Sequence, residues 1–227
     1  MRFRNRQEAG RALAERLTPL LRPPCIVLAL PRGGAVVGLP VARALEAPLA
    51  LASARKLTAP RAPELAFGAV DEDGATELDY QTIEQLGLTR GEVRQIRAQV
   101  LSAIRGRRAR CGGSVPLGRF PESVVVLVDD GIATGLSMCA AVRYARRHRA
   151  REVVVAAPVS ASDSVKCFRV HCDLFVSLVV DPDLVAVGQY YDDFHPVDDA
   201  EVADLLALAR EEHEALLHPP ARASNGA

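Results

Sequence analysis

Five consecutive apolar residues, Val124–Val128, bounded by Ser123 on one side and the acids Asp129 and Asp130 on the other, constrain this chain more than any other feature. A run that short and that uniformly apolar reads as a strand covered on both faces, the kind found inside a parallel sheet. Cys25–Leu30 is a second such run, Glu152–Ala157 and Leu174–Val180 are further strands, and Leu49–Ala54 is a weaker one. Helical spacing marks Asn5–Leu21 (Ala9, Leu13, Leu17, Leu20, Leu21), Ala35–Leu45, Leu136–Arg147, Ser162–Arg169 and Asp198–Leu217. Strands alternating with helices predict an α/β chain with a parallel sheet covered on both faces. Ligands of such sheets sit beyond the carboxyl ends of the strands, here just after Leu30, Ala54, Val128 and Val180.

Between Arg55 and Asp79 the pattern changes. Pro60, Pro63, Gly68 and Gly74 punctuate short β-like pieces, which read as a hairpin or mobile loop rather than core. Thr89–Ala109 carries Val93, Ile96, Val100 and Ile104 among many arginines and reads as a long helix with a solvated basic face. Lys+Arg and Asp+Glu both number 28, so the chain lacks the basic excess that gripping a nucleic-acid backbone requires. No apolar run reaches the ~20 residues that span a bilayer, and no signal-peptide core follows the basic start Met1–Arg6. The five cysteines show no CxxC spacing, and Cys167, His171 and Cys172 lack a fourth zinc ligand. Reduced thiols in a cytoplasmic protein are the expectation.

The chemistry concentrates after the best strand. Asp129-Asp130-Gly131-Ile132-Ala133-Thr134-Gly135 leads into a helix that carries Ser137 in its first turn. Converging backbone N–H groups, a helix N-terminus and the Thr134 and Ser137 hydroxyls make an anion site, and glycines let the backbone approach a ligand. GxxxxGK[ST] is absent, so this is not a triphosphate loop. Two carboxylates would repel a polyphosphate laid on them but suit the vicinal hydroxyls of a sugar. A ribose 5-phosphate supplies both a diol and a phosphate. The competing reading of Asp129-Asp130-Gly131 is a plain turn ending a strand.

At these residues the sequence resembles the type I phosphoribosyltransferases, in particular bacterial members whose acceptor is undefined. The resemblance runs from Phe3 to about Leu206 and includes Ala29–Gly34, Arg55-Lys56-Leu57, Pro63–Ala66 and Gly188–Phe194. It implies the type I phosphoribosyltransferase fold: a central, mostly parallel sheet flanked by helices, with a flexible β-hairpin loop and a small hood. The implied domain covers residues 1–218, with its core at about 25–180, the flexible loop at about 55–79 and the hood at about 181–197 together with the N-terminal helix. Residues 219–227 are expected to be a disordered tail.

The implied activity is transfer of 5-phosphoribosyl from 5-phosphoribosyl 1-pyrophosphate (PRPP) to a small, nitrogenous acceptor, with Mg²⁺ as cofactor and release of pyrophosphate. The resemblance implies that Asp129 and Asp130 hold the ribose hydroxyls and that Gly131, Ile132, Ala133, Thr134, Gly135 and Ser137 hold the 5-phosphate. It implies that Arg32, Gly33 and Gly34 form the pyrophosphate loop, where a non-proline cis peptide often occurs, and that Arg55 and Lys56 add charge there. Arg32 and Lys56 are the expected catalytic cations, Tyr190 and Tyr191 the acceptor hood, and Asp129, Asp130 and Asp192 or Asp193 the metal ligands. Ala133 stands where 6-oxopurine enzymes carry an aspartate, which disfavours those acceptors, and Leu136 stands where a small residue is common. A homodimer fits the family precedent. The alternative function is a non-catalytic PRPP- or nucleotide-binding regulator of the same fold.

Overall fold

The computed structural model describes residues 1–52, 54–112 and 117–218, with the side chains of residues 63, 64 and 166–168 outside the description. The expected tail at 219–227 lies outside the described residues. Five parallel strands form the central sheet in the order β2-β1-β6-β7-β8: Leu49–Leu51, Cys25–Ala29, Val124–Val128, Glu152–Ala161 and Leu174–Asp181. All side chains of β1 and β6 are buried, as their uninterrupted apolar sequences require. Each of the five β6 side chains contributes roughly 1.5–3 kcal/mol relative to exposure.

Alternate residues face opposite layers. Cys25, Val27, Ala29, Val124, Val126 and Val128 pack toward α1 (Arg6–Leu17), α2 (Gly33–Ala44) and α7 (Asp199–Leu217). Ile26, Leu28, Val125 and Leu127 pack toward α5 (Leu136–Arg147) and α6 (Ser162–Arg169). The chain leaves β1 through α2 to reach β2 on one side, and leaves β6 through α5 to reach β7 on the other. The strand order therefore reverses between β1 and β6. Their diverging connections open a crevice at their carboxyl ends, where a ligand can enter.

Residues 54–78 form the expected hairpin, but with a third strand and a core of their own. β3 (Ala54–Ala59), β4 (Ala62–Asp71) and β5 (Thr76–Leu78) form an antiparallel sheet. Leu57, Phe67 and Val70 close a core of their own with Val93, Ile96 and Ile104 of α4 (Arg90–Cys111). A short helix that the sequence pattern did not suggest, α3 (Tyr80–Gln85), starts at Asp79, whose side chain accepts from the Gln81 and Thr82 N–H groups. Helix α4 starts at Thr89 through a capping box with Glu92. Cys25, Cys111 and Cys172 are free thiols, whereas Cys139 is disulfide-bonded, which corrects the expectation of reduced thiols throughout.

No helix among the described residues is long and apolar enough to cross a membrane.

Candidate functional site

Two loops meet at the switch point. β1 runs into Pro31-Arg32-Gly33-Gly34, with a cis peptide between Pro31 and Arg32, and α2 starts at Gly33 with Arg32 as its N-cap. β6 runs into Asp129–Gly135, and α5 follows Gly135, whose φ of 74° lies in the left-handed region. The loops press together so closely that side chains do not fit between them. A Cβ on Gly34 would fall 2.8 Å from the Val128 carbonyl oxygen and 3.1 Å from Asp129 Cα. One on Gly33 would fall 1.8 Å from Asp130 Oδ2. The glycines that the sequence suggested for a pyrophosphate loop are thus also what lets that loop lie against the acid pair.

Asp129 Oδ1 accepts from the Asp130 N–H at 2.8 Å. Enclosure by the protein, and then the neighbouring Asp130 carboxylate, push the Asp129 carboxyl well above the usual carboxylate range. The Asp130 N–H and the Arg6 charge pull it back. Among the described residues no ion pair reaches Asp129, whereas Asp130 Oδ2 accepts from Arg6 Nε at 2.7 Å. The side chains of this pair are only 8% and 17% exposed.

Arg6 also donates to the His195 carbonyl at 2.9 Å and lies 3.8 Å from the centroid of the Phe194 ring. Sequence reasoning missed it by treating Met1–Arg6 as a basic start. The signal was present: Arg6 shares the stripe of Ala9, Leu13 and Leu17 that α1 buries.

The phosphate-loop candidates divide into fasteners and exposed groups. The Ile132 side chain is buried, its N–H donates to Val159 at 2.9 Å and its carbonyl accepts from Ala161 at 2.8 Å. Ile132 therefore pins the loop to β7, and its N–H is not free for a phosphate. Ala133 and Thr134 are exposed and Ser137 is partly so at the first turn of α5. Gly131 packs beneath the hood, where a Cβ would fall 2.3 Å from Val187 Cγ1.

Arg55 and Lys56 do not act as a pair. As neighbours on β3 they face opposite sides. Arg55 is itself exposed but shares the Leu57 face toward α4, where desolvation, then the Arg107 and Arg32 charges, depress its pKa against the pull of Asp199. Arg32 and Arg55 therefore gather positive potential at the end of β1, while Asp199 offsets Arg107 by pairing with it at 2.9 Å. Lys56 is exposed on the other face.

In the hood, Tyr191 is 2% exposed, packs against Phe3 and Phe194 at 5.7 and 5.0 Å, and donates to the Asp130 carbonyl at 2.6 Å. Buried this fully, Tyr191 holds the acid-pair backbone and, contrary to expectation, presents no face to an acceptor. Tyr190 is partly exposed, with its hydroxyl on Asp181 Oδ2 at 2.5 Å.

Asp192 pairs with Arg2 at the surface. Asp193 is exposed and accepts from the His195 N–H at 3.1 Å, and its hydrogen bonds with His195 hold its carboxyl below the usual range. The structure does not bring Asp193 together with Asp129 and Asp130. No group of three or more His, Cys, Asp or Glu among the described residues could hold a metal by itself.

This geometry agrees with the comparisons. The phosphoribosyl transferase domain model matches residues 5–193. Two Mycobacterium tuberculosis proteins that carry a provisional phosphoribosyl transferase name, one from strain CDC 1551 and one from H37Rv, are each 39% identical over 230 residues, 97% of this chain and 51% of theirs. The chain thus spans about half the length of these curated relatives. The crystal structure of TT1426 from Thermus thermophilus shares 39% identity with a TM-score of 0.72, covering 91% of this chain and 98% of that one. With the parallel sheet, the acid pair and the Thr-Gly loop of the type I fold all in place, the chain belongs to the phosphoribosyl transferase domain family.

Proposed function

We propose that this chain transfers 5-phosphoribosyl from PRPP to a small nitrogenous acceptor other than a 6-oxopurine, releasing pyrophosphate. The observation that carries the reading is the contact between the two loops. Gly33 and Gly34 lie against Asp130 and Asp129 with no room for a Cβ, so a diol site and a cationic loop share one wall. PRPP has its diol and its pyrophosphate on neighbouring carbons, which that shared wall suits.

In this reading Asp129 and Asp130 take the ribose hydroxyls. Ala133, Thr134, Gly135 and Ser137, with the start of α5, take the 5-phosphate, while Gly131 gives the loop room beneath the hood. Gly33, Gly34, Arg32 and Arg55 face the pyrophosphate, and Lys56 contributes from the opposite face of β3. As the bond from C1 to the pyrophosphate oxygen breaks, charge accumulates on the leaving group and the sugar becomes oxocarbenium-like. Fixed cations at the leaving group lower that barrier.

The donor set fits Mg²⁺: Asp129 is a part-buried carboxyl with no ion-pair partner among the described residues, and a cation would relieve its elevated pKa. Asp129 and Asp130, with oxygens of PRPP, would hold the ion, and Asp193 could join only after leaving His195. The ion would neutralise charge on the diphosphate. Ala133 offers no carboxylate to a 6-oxopurine ring nitrogen, and Tyr190 is the hood ring available to stack on an acceptor.

The test is pyrophosphate release from PRPP and Mg²⁺ across a panel of nitrogenous acceptors. Release with at least one member, and none with hypoxanthine, guanine or xanthine, is the expected result. Saturable PRPP binding without release across the panel would overturn the transferase and leave a PRPP-binding regulator.

A further inference from the structure

We propose that Arg6 is a positioning residue of the sugar site, holding Asp130 so that each acid of the pair presents one oxygen to one ribose hydroxyl. This rests on the reading of the acid pair given above. Asp129 commits Oδ1 to the Asp130 N–H at 2.8 Å, and Asp130 commits Oδ2 to Arg6 Nε at 2.7 Å. Among the described residues, no N–H group donates to the second oxygen of either acid. Apart from the contact between the two carboxyls themselves, this leaves one oxygen per acid to accept from two vicinal hydroxyl donors.

Arg6 is fixed from three sides, which is what holding a carboxylate in one orientation requires. Its guanidinium donates to the His195 carbonyl, stacks on Phe194 and passes directly beneath Gly33, where a Cβ would fall 2.7 Å from its Nε. One side chain therefore touches the hood, the diol acid and the loop proposed for pyrophosphate. A lysine could supply the charge but not the planar fork that bonds Asp130 and His195 together.

The experiment compares ribose 5-phosphate with 2-deoxyribose 5-phosphate by calorimetry, for the wild type and for Arg6→Met, Arg6→Lys and Gly33→Ala. Wild-type protein should prefer the diol-bearing sugar by about tenfold or more, as expected when a buried acceptor loses its donor. Arg6→Met should lower that preference to about twofold while its affinity for the deoxy sugar stays within roughly threefold, because the phosphate loop is untouched. Arg6→Lys should restore part of the preference.

Loss of fold would weaken both sugars alike, so the ratio separates positioning from structure. Should Arg6→Met not fold, Gly33→Ala reaches the same pair from outside, its Cβ meeting Asp130 Oδ2 at 1.8 Å, and should also lower the ratio. A wild-type ratio retained in Gly33→Ala and in any folded Arg6 variant would overturn the role of Arg6 alone. A wild type that binds neither sugar, or both equally, would overturn the reading of the acid pair and the role of Arg6 with it.

Discussion

Asp129 shows what the site costs the fold. An acid whose native pKa is raised above its unfolded value binds more protons in the native state, so stability falls as pH rises from the unfolded value through the native one. Asp129 is such a group, facing Asp130 and Arg6. In metal-free buffer Asp129→Asn should therefore melt above wild type at neutral pH. The difference should shrink to nothing as pH drops below about 4, the unfolded carboxylate value. The same variant should lose at least ~tenfold in ribose 5-phosphate affinity. Thermal melts across pH check the first half; an Asn variant less stable than wild type at neutral pH would show that Asp129 is already compensated inside the protein. Arg6 shows why single residues are hard to read. Its position on the buried stripe of α1 was visible, but its partner Asp130 lies 124 positions away, and nothing local links the two.

At the scale of elements, legibility followed how local the cause was. The Val124–Val128 strand and helix 136–147 came out at their expected bounds, because an uninterrupted apolar run and a glycine-bounded loop are both local signals. β7 runs to Ala161, four residues beyond the expected Ala157, because pairing with β8 and the Ile132–Ser160 bridge extend it. A hairpin at 54–78 was legible, but the full three-stranded sheet was hidden because Pro60 and Gly68 interrupt its pattern and its core is completed only by α4. Its far side is pinned to α5: Asp71 bonds Arg147, Glu72 accepts from Tyr144 at 2.5 Å, and Asp73 meets His148 at 2.8 Å. Asp71 is the anchor, 2% exposed in its side chain and also accepting the Asp73 and Ala75 N–H groups at 3.1 and 3.0 Å. Asp71→Ala should cost roughly 1–3 kcal/mol, since two N–H donors lose an acceptor while Arg147, partly exposed, can turn to water. Hydrogen exchange should show faster opening confined to β3–β5; unchanged protection there would mean that the core with α4 suffices.

At the scale of the whole molecule, the alternation of strands and helices determined where chemistry could sit before any motif was considered. What it could not supply was the strand order, which makes β1 and β6 neighbours and brings Gly33 and Gly34 onto Asp130 and Asp129. That adjacency turns two separate motifs into one site for one ligand. Calorimetric titration of the folded chain with PRPP, with and without Mg²⁺, tests it most directly. Saturable binding that Mg²⁺ strengthens and that Asp129→Asn with Asp130→Asn abolishes is the expected result. Absence of PRPP binding by well-folded protein, or binding indifferent to both acids, would contradict the account.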